Sequence, residues 1–368
     1  MKVAEASTGT RYSSIDLMRG YAVAVMVIVH FLENLAGTRD WSPDGFGAPI
    51  FVFLTGVSYQ LWLQSRERRG VASEQISRET IRRGLFLMGL GFVFNGLVWL
   101  PEDLFTWDVL TFLGAATCLL NVVRVMPVPA VLLTIMLSVT LSPLMQRLAE
   151  YPAYWANGYF ETEQTLSELL TGFLVTGYFP IFPWIALPLT GFIVTPVLLG
   201  QQFTATPVRT SPRRIAVGLI ACVLVSSSVR TGWPLSFQWL PEWTMFPAST
   251  SYMAGVLGMV ILLLSGLHEW LDGRQALRIP EWLLCRAQRF SRYSLTIYLL
   301  HHVVHLWPLW IYGWYSAGDP TIHWGRLLPW WPAFLLAVLF LACMDRLLIS
   351  VERHKVPTAE NLMRWLAE

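Results

Sequence analysis

The fold is decided by the stretch SIDLMRGYAVAVMVIVHFLE, which runs from Ser14 to Glu33. It is apolar enough to form a helix inside the roughly 30 Å of hydrocarbon of a bilayer. His30 follows Arg19 by eleven positions. At 100° per residue this spacing returns to nearly the same face, roughly 16 Å further along the axis. Asp16 and Glu33 lie within about 60° of Arg19 on the helical wheel. Because an ionisable group costs roughly 2–3 kcal/mol inside a membrane, four on one stripe predict a functional site.

The apolar character of this stretch recurs along the whole chain. Of 368 residues, 54% are hydrophobic and 14% are charged, and the mean hydropathy is +0.49. Soluble domains carry about 25% charged residues. Only helices and closed barrels satisfy backbone polar groups in lipid. We therefore predict an all-α polytopic membrane protein, a single domain over 1–368, with about ten transmembrane helices near 17–36, 47–64, 84–101, 106–123, 128–146, 179–199, 215–232, 251–268, 293–312 and 329–348.

Arginine and lysine are unevenly divided between the connecting segments. With the N-terminus in the cytoplasm, 22 of the 26 Lys and Arg residues fall in cytoplasmic segments. This bias predicts that both termini are cytoplasmic, and we expect the first apolar segment to be an uncleaved helix. The net charge of +2 gives no indication of nucleic-acid binding.

Aromatic residues concentrate on the other side of the membrane. By this topology 14 of the 18 tryptophans lie at or near the external side. The external loops 147–178 and 231–250 contain several of them. An interfacial aromatic belt accounts for this pattern, and so does a sugar-stacking surface at the mouth of an external cleft.

His30 is the candidate base. A carboxylate beside an imidazole fixes its tautomer and raises its basicity, so Glu33 is expected to orient His30. Arg19, with Asp16 beside it, is placed to contact a phosphate at the cytoplasmic end. The alternative is structural, with Arg19 snorkelling to the interface and His30 bonded to a neighbouring helix.

A second polar stripe lies on the helix near 293–312. Ser294, Tyr298, His301 and His305 follow a helical spacing, and His302 points aside. They form either a second wall of a substrate tunnel or a packing surface. Histidines four apart can bind metal, but no third ligand is near them in sequence and the four cysteines stand alone. We therefore predict no metal site and no haem.

Three further side chains are assigned to the tunnel wall, each with a structural alternative. Asp108 can cap the fourth helix, Asn95 can bond a neighbouring helix, and Trp184 opens the sixth helix. Arg82 and Arg83 are placed to bind a nucleotide. The alternative is that they are positive-inside anchors.

Several segments carry a family resemblance. The Ser14–Gly20 segment, with His30 eleven positions after Arg19, resembles the first-helix motif of the acyltransferase-3 family, in which this His is taken as catalytic. Three more segments resemble bacterial heparan-α-glucosaminide N-acetyltransferase-like proteins: FGAPIFVFLTG at 46–56, FPIFPW at 179–184 and YSLTIYLLH at 293–301. The resemblance covers about 11 to 312, and His301 matches its recurring histidine.

The resemblance implies an acyltransferase of a bacterial cytoplasmic (inner) membrane. The expected donor is cytoplasmic acyl-CoA, with acetyl-CoA first, and no cofactor is tightly bound. The expected acceptor is a hydroxyl or amine on an extracytoplasmic sugar or glycolipid, and a homo-oligomer is possible. The animal lysosomal enzyme of this superfamily has its catalytic histidine in the loop after the first helix. The corresponding loop here, 36–48, has none, so His30 serves instead or the chemistry differs.

A proton-coupled transporter or permease is the alternative function, because the same buried ionisable stripe would suit a proton path. The sequence lacks the inverted repeat and the paired broken helices typical of such carriers. A degenerate homologue that only binds its ligand is a third possibility, which the intact pair of Arg19 and His30 disfavours.

Overall fold

The structure is a computed structural model that describes residues 11–38, 44–99, 104–156, 159–163, 165–199, 211–229, 243–273 and 279–367. All regular secondary structure in these ranges is helical, which confirms the predicted all-α class. The helices are α1 Ser13–Ala36, α2 Asp44–Arg68, α3 Ser73–Val98, α4 Val109–Val123, α5 Val128–Leu148, α6 Leu166–Thr171, α7 Ile181–Trp184, α8 Ala186–Leu198, α9 Pro212–Val229, α10 Thr250–Leu267, α11 Glu281–Arg292, α12 Ser294–Ala317, α13 Trp330–His354 and α14 Ala359–Ala367.

Within the described residues each of the ten predicted apolar stretches overlaps a helix, and the stretch 179–199 overlaps the two helices α7 and α8. Not all of these helices are long and apolar enough to count as candidate spans. Within the described ranges seven spans meet both conditions: Ser13–Ala36, Gly45–Arg68, Ser73–Val98, Val128–Leu148, Leu166–Leu198, Thr250–Asp272 and Trp330–His354. The stretches predicted at 106–123, 215–232 and 293–312 correspond to α4, α9 and α12, which are not among the seven. The count of about ten and the side of the termini stay predictions.

Helix α1 lies between two apolar clusters. Its N-terminal half, including Met18 and Ala22, packs with residues of α2, α8 and α10. Its C-terminal half, including Val27 and Phe31, packs with α12 and α13. Since α1 touches both clusters, its one polar stripe is held at the centre of the protein.

Small residues let α2 and α8 approach closely. A Cβ built on Gly56 would lie 1.8 Å from the carbonyl oxygen of Pro188, and one built on Gly191 would lie 2.2 Å from that of Phe53. Small residues commonly serve this purpose between membrane helices, because backbones can then pack in van der Waals contact.

The arginine-rich helix ends meet at one end of the bundle. Arg66 at the end of α2 pairs with Glu79 at the start of α3, 2.6 Å apart. Arg286 and Arg289 of α11 pair with Asp345 of α13 at 3.1 and 3.0 Å. These contacts join ends that the positive-inside rule assigns to the same side.

The opposite end of α1 is bound to the loop before α13. Gly37 ends α1 in the left-handed region at φ 66°. The Gly325 N–H donates to the Asn34 carbonyl at 2.8 Å, and the Leu328 N–H donates to that of Leu35 at 2.9 Å. This loop therefore carries Trp324 over the end of α1.

Candidate active site

A cavity of about 1540 Å³ extends between the two ends of the bundle. Arginines line one end, and aromatic side chains of the loops line the other. Histidine, tyrosine and aspartate lie on the wall as well. The lining includes Arg19, Arg83, Arg292, Arg364, His30, Glu33, Asp108, Ser294, Tyr298, His302, Tyr151, Trp155, Tyr159, Trp243 and Trp324.

The predicted stripe on α1 is largely present in this wall. Arg19, His30 and Glu33 all line the cavity. Arg19 donates to the hydroxyl of Ser58 on α2. Asp16 is placed elsewhere: it is buried and accepts from Arg11 Nε at 2.5 Å. Asp16 therefore forms an ion pair at the start of α1 and is not among the cavity-lining residues, so its role near a donor phosphate stays a prediction.

The two candidate arginines on α3 differ in position. Arg83 lines the cavity, and its guanidinium lies 4.6 Å from the ring centroid of Trp62. Arg82 is exposed and is not among the lining residues. Neighbouring residues on a helix point about 100° apart, and of this pair only Arg83 is among the lining residues.

Asn95 and Trp184 were assigned to the tunnel wall, but neither is among the lining residues. Asn95 is fully buried and its Nδ2 donates to the Leu104 carbonyl and the Thr106 hydroxyl, each at 3.3 Å. Asn95 therefore bonds the loop before α4 to helix α3. Trp184 is 1% exposed and packs edge-on against Phe179 in the core.

Asp108 both caps α4 and lines the cavity, and its part in a substrate tunnel stays a prediction. Its side chain caps α4 by accepting from the Val109 N–H at 2.6 Å. It also lines the cavity and accepts a hydrogen bond from the Tyr298 hydroxyl. Tyr298 thereby joins α12 to the start of α4, as a polar residue buried between helices must find a partner. Ser294, one turn earlier, lies on the same wall.

His30 is paired with a histidine of α12. Its Nδ1 lies 2.8 Å from Nε2 of His301. The ring of His301 is fully buried behind the cavity wall. The hydrogen-bond partner that the structure gives His30 is thus His301, while Glu33 shares the cavity wall and its predicted orienting role stays a prediction.

Backbone carbonyls determine where the protons of this pair reside. Nδ1 of His301 lies 3.2 Å from the Ile297 carbonyl. A carbonyl only accepts, so this Nδ1 carries the proton, and Nε2 of the neutral ring accepts from His30. His30 then holds its proton on Nδ1. The Nε2 lone pair of His30 is therefore the basic atom of the pair.

An asparagine that the sequence did not single out extends this network. Asn34 is 2% exposed, and its Oδ1 accepts from the indole N–H of Trp324 at 3.0 Å. Its Nδ2 therefore donates to Nε2 of His305, 2.8 Å away. Nδ1 of His305 donates to the His301 carbonyl at 2.6 Å. The only signal was spacing: Asn34 lies four residues after His30, as His305 does after His301.

His302 was predicted to point aside, and this prediction is wrong. The His302 ring lines the cavity, 4.6 Å from the ring of His30 between centroids. It also packs edge-on against Trp99. Of the histidines of α12, His302 lines the cavity, whereas His301 and His305 are buried outside its lining. One nitrogen each of His30, His301 and His302 lies within 4.8 Å of the others.

Aromatic side chains pack on one another at the end of the cavity opposite the arginines. The ring centroids of Tyr151 and Trp155 are 5.6 Å apart and those of Trp155 and Phe246 are 5.5 Å apart, and both pairs are stacked. The ring centroids of Tyr159 and Trp324 are 5.0 Å apart. Burial raises the pKa of the Tyr151 phenol above its ordinary value, so it stays a neutral hydroxyl. Trp233 and Trp239 lie outside the described residues.

These features define an integral membrane protein whose helices enclose a cavity with imidazoles on its wall. Residues 11–223 match the sequence profile described as heparan-alpha-glucosaminide N-acetyltransferase, catalytic. The chain belongs to this family, as the resemblance of its first helix, its α2 segment and its α7 segment predicted. A comparison with curated protein sequences finds no match. Membership indicates an acetyltransferase that acts on a sugar.

Proposed function

We propose that the protein transfers an acetyl group from cytoplasmic acetyl-CoA to a hydroxyl or amine of an extracytoplasmic sugar or glycolipid, with His30 as general base. The observation that carries this proposal is the cavity itself. Arginines line one end of it, aromatic rings line the other, and His30 lies on its wall.

The arginine end suits the phosphates of the donor. Arg19 and Arg83 face the cavity from α1 and α3, and a guanidinium binds phosphate through paired N–H donors. The helical rise puts Arg19 and His30 roughly 16 Å apart. A pantetheine arm is of comparable length, so a thioester can reach His30 while its phosphates stay at the arginines.

The histidine network leaves His30 ready to take a proton. Nε2 of His301 accepts a hydrogen bond from Nδ1–H of His30, which leaves the Nε2 lone pair of His30 available. As the acceptor oxygen or nitrogen bonds to the thioester carbonyl carbon, its proton passes to Nε2. The carbon–sulfur bond then breaks, and the imidazolium returns the proton to the departing thiolate. Acid–base catalysis of this kind contributes about 10²–10⁴-fold.

The aromatic end suits a sugar. Faces of Trp and Tyr pack well on apolar C–H surfaces and leave polar groups at their edges for hydrogen bonds. Tyr151, Trp155 and Trp243 line this end of the cavity. The indole N–H of Trp155 is already engaged by the Thr176 carbonyl at 2.8 Å, so this ring offers its faces.

The proposal is tested with the purified protein, by calorimetric titration with acetyl-CoA and by transfer of labelled acetyl to glucosamine. We expect His30→Gln to keep acetyl-CoA affinity within about threefold and to lose about 10²–10⁴-fold in kcat. His354→Gln serves as the matched control, because His354 is exposed at the end of α13 and remote from the cavity lining.

Two results would overturn the proposal. One is the absence of saturable acetyl-CoA binding to the wild-type protein. The other is a His30→Gln variant that turns over as fast as His354→Gln.

A further inference from the structure

Three imidazoles converge on one point of the cavity wall. His30 comes from α1, and His301 and His302 come from α12. The ring centroids of His30 and His302 are 4.6 Å apart, and those of His301 and His302 are 4.0 Å apart. One nitrogen from each residue lies within 4.8 Å of the other two. The third ligand that neighbouring sequence lacks is therefore supplied by a helix about 270 residues earlier.

His302 provides a second, independent observation. Its side chain is 2% exposed, and its Nδ1 has no hydrogen-bond partner. Buried polar atoms nearly always have a partner, so an unpartnered one signals an ion or a ligand group. The ring is held in place between Phe94, Tyr298 and Trp99, which all pack against it edge-on.

We propose that His30, His301 and His302 form a binding site for a divalent transition-metal cation of the zinc type. Imidazole suits zinc, copper and nickel, whereas magnesium and calcium prefer oxygen ligands. Three histidines with a fourth position open to a cavity match the arrangement of accessible zinc sites. Zinc binds imidazole nitrogen at about 2.0–2.1 Å, and the three nitrogens lie within 4.8 Å of one another.

Binding of the cation competes with the hydrogen bond between His30 and His301. The Nε2 lone pair of His301 accepts that bond, so a cation that takes the lone pair displaces the Nδ1 proton of His30. The proton moves to Nε2 of the same ring, and Nδ1 becomes a ligand. The net charge of the imidazoles is unchanged in this step. His30 then has no basic nitrogen, so the bound cation switches off the proposed acetyl transfer.

The site is tested on the full-length protein in detergent, without acetyl-CoA or sugar. After removal of metals by a chelator, the protein is titrated with Zn²⁺ by calorimetry and with Co²⁺ by its visible absorption. We expect one cation per chain. His302→Gln should weaken the affinity at least tenfold, and His354→Gln should leave it unchanged. X-ray absorption of the zinc-loaded wild-type protein should show three imidazole ligands.

Substoichiometric binding by the wild-type protein, or fewer than three imidazoles in its absorption spectrum, would overturn the site even if His302→Gln fails to fold. Equal affinity of His302→Gln and His354→Gln would overturn it too. The switch rests on the proposed function, whereas metal binding does not. Stoichiometric metal binding by a protein that fails to bind acetyl-CoA would sustain the site and overturn only the acetyl transfer.

Discussion

At the scale of single residues, the protein orients its candidate base through neutral groups. Trp324 donates to Asn34, Asn34 donates to His305 and His305 donates to the His301 carbonyl, while His30 donates to Nε2 of His301. The direction of these hydrogen bonds is fixed by groups that can only donate or only accept, namely an indole N–H and two backbone carbonyls. A base held this way carries no permanent charge, which suits a site among membrane helices.

Asn34 and Trp324 are predicted to be energetically coupled. Replacing Asn34 by Ala leaves the Trp324 indole and Nε2 of His305 without their partner. Polar contacts between membrane helices contribute about 0.6 kcal/mol on average and at most about 1.7. A double-mutant cycle of Asn34→Ala and Trp324→Phe, followed by thermal unfolding in detergent, should give a coupling of about 0.5–1.5 kcal/mol. Strict additivity would contradict the described hydrogen bond.

Sequence reasoning could group site residues only where they share one helix. Arg19, His30 and Glu33 line the cavity because eleven and fourteen positions on a regular helix return to one face. Asn34 and His302 were missed because their roles depend on another helix. The hydrogen bonds from α1 to α12 join residues 271 positions apart, and no local pattern encodes that pairing.

At the scale of elements, periodicity located the helices but not their interruptions. The chain from Leu166 to Leu198 is one apolar span, yet it is divided into α6, a short π-helical turn at 172–176, α7 and α8. The apolar stretch predicted from residue 84 lies in a helix that begins at Ser73, because the charged 73–83 segment is itself helical and continues into it without a break. Charged residues indicate where a helix is expected to leave the membrane, but the helix itself continues beyond that point, as α3 does.

The close packing of α2 and α8 predicts a sharp difference between two glycines. Gly56→Ala would place a methyl group 1.8 Å from the Pro188 carbonyl oxygen. Overpacking of this kind costs about 1–3 kcal/mol or more. Gly89→Ala on α3 is the matched control, since nothing lies within 4 Å of its added Cβ and alanine favours a helix by about 1 kcal/mol.

Thermal unfolding of both variants in one detergent checks this prediction. Gly56→Ala should unfold several degrees below the wild-type protein, and Gly89→Ala should unfold at or above the wild-type temperature. Equal stability of the two variants would show that α2 and α8 are not in backbone contact.

At the scale of the whole molecule, the two ends of the cavity differ in chemistry. Four arginines line one end, and tyrosines and tryptophans line the other. The sequence predicted this polarity from the distribution of Arg and Trp among its loops. The helix ends that it assigns to one side do meet, as the pairs between Arg66 and Glu79 and between Arg289 and Asp345 illustrate. The enclosed volume was not predictable, because it depends on how the helices pack.

This polarity predicts that Arg19 contributes to donor affinity and Arg82 does not. Hydrogen bonds to charged groups contribute about 1.5–3 kcal/mol, which corresponds to roughly tenfold to a hundredfold in affinity. Arg19→Ala should raise the KM for acetyl-CoA by that factor at little change in KM for the sugar. Arg82→Ala should stay within about twofold, because Arg82 is exposed outside the cavity lining. Equal effects of the two substitutions on acetyl-CoA would place the donor elsewhere.

The most direct test of the account places the two substrates on opposite sides of a membrane. Wild-type protein is reconstituted into vesicles that contain glucosamine, and acetyl-labelled CoA is added outside only. The account predicts labelled sugar inside vesicles with wild-type protein, and its loss with His30→Gln. Labelled sugar that forms only when both substrates share one side would contradict transfer through the cavity. Escape of unmodified glucosamine through the protein would indicate a carrier instead.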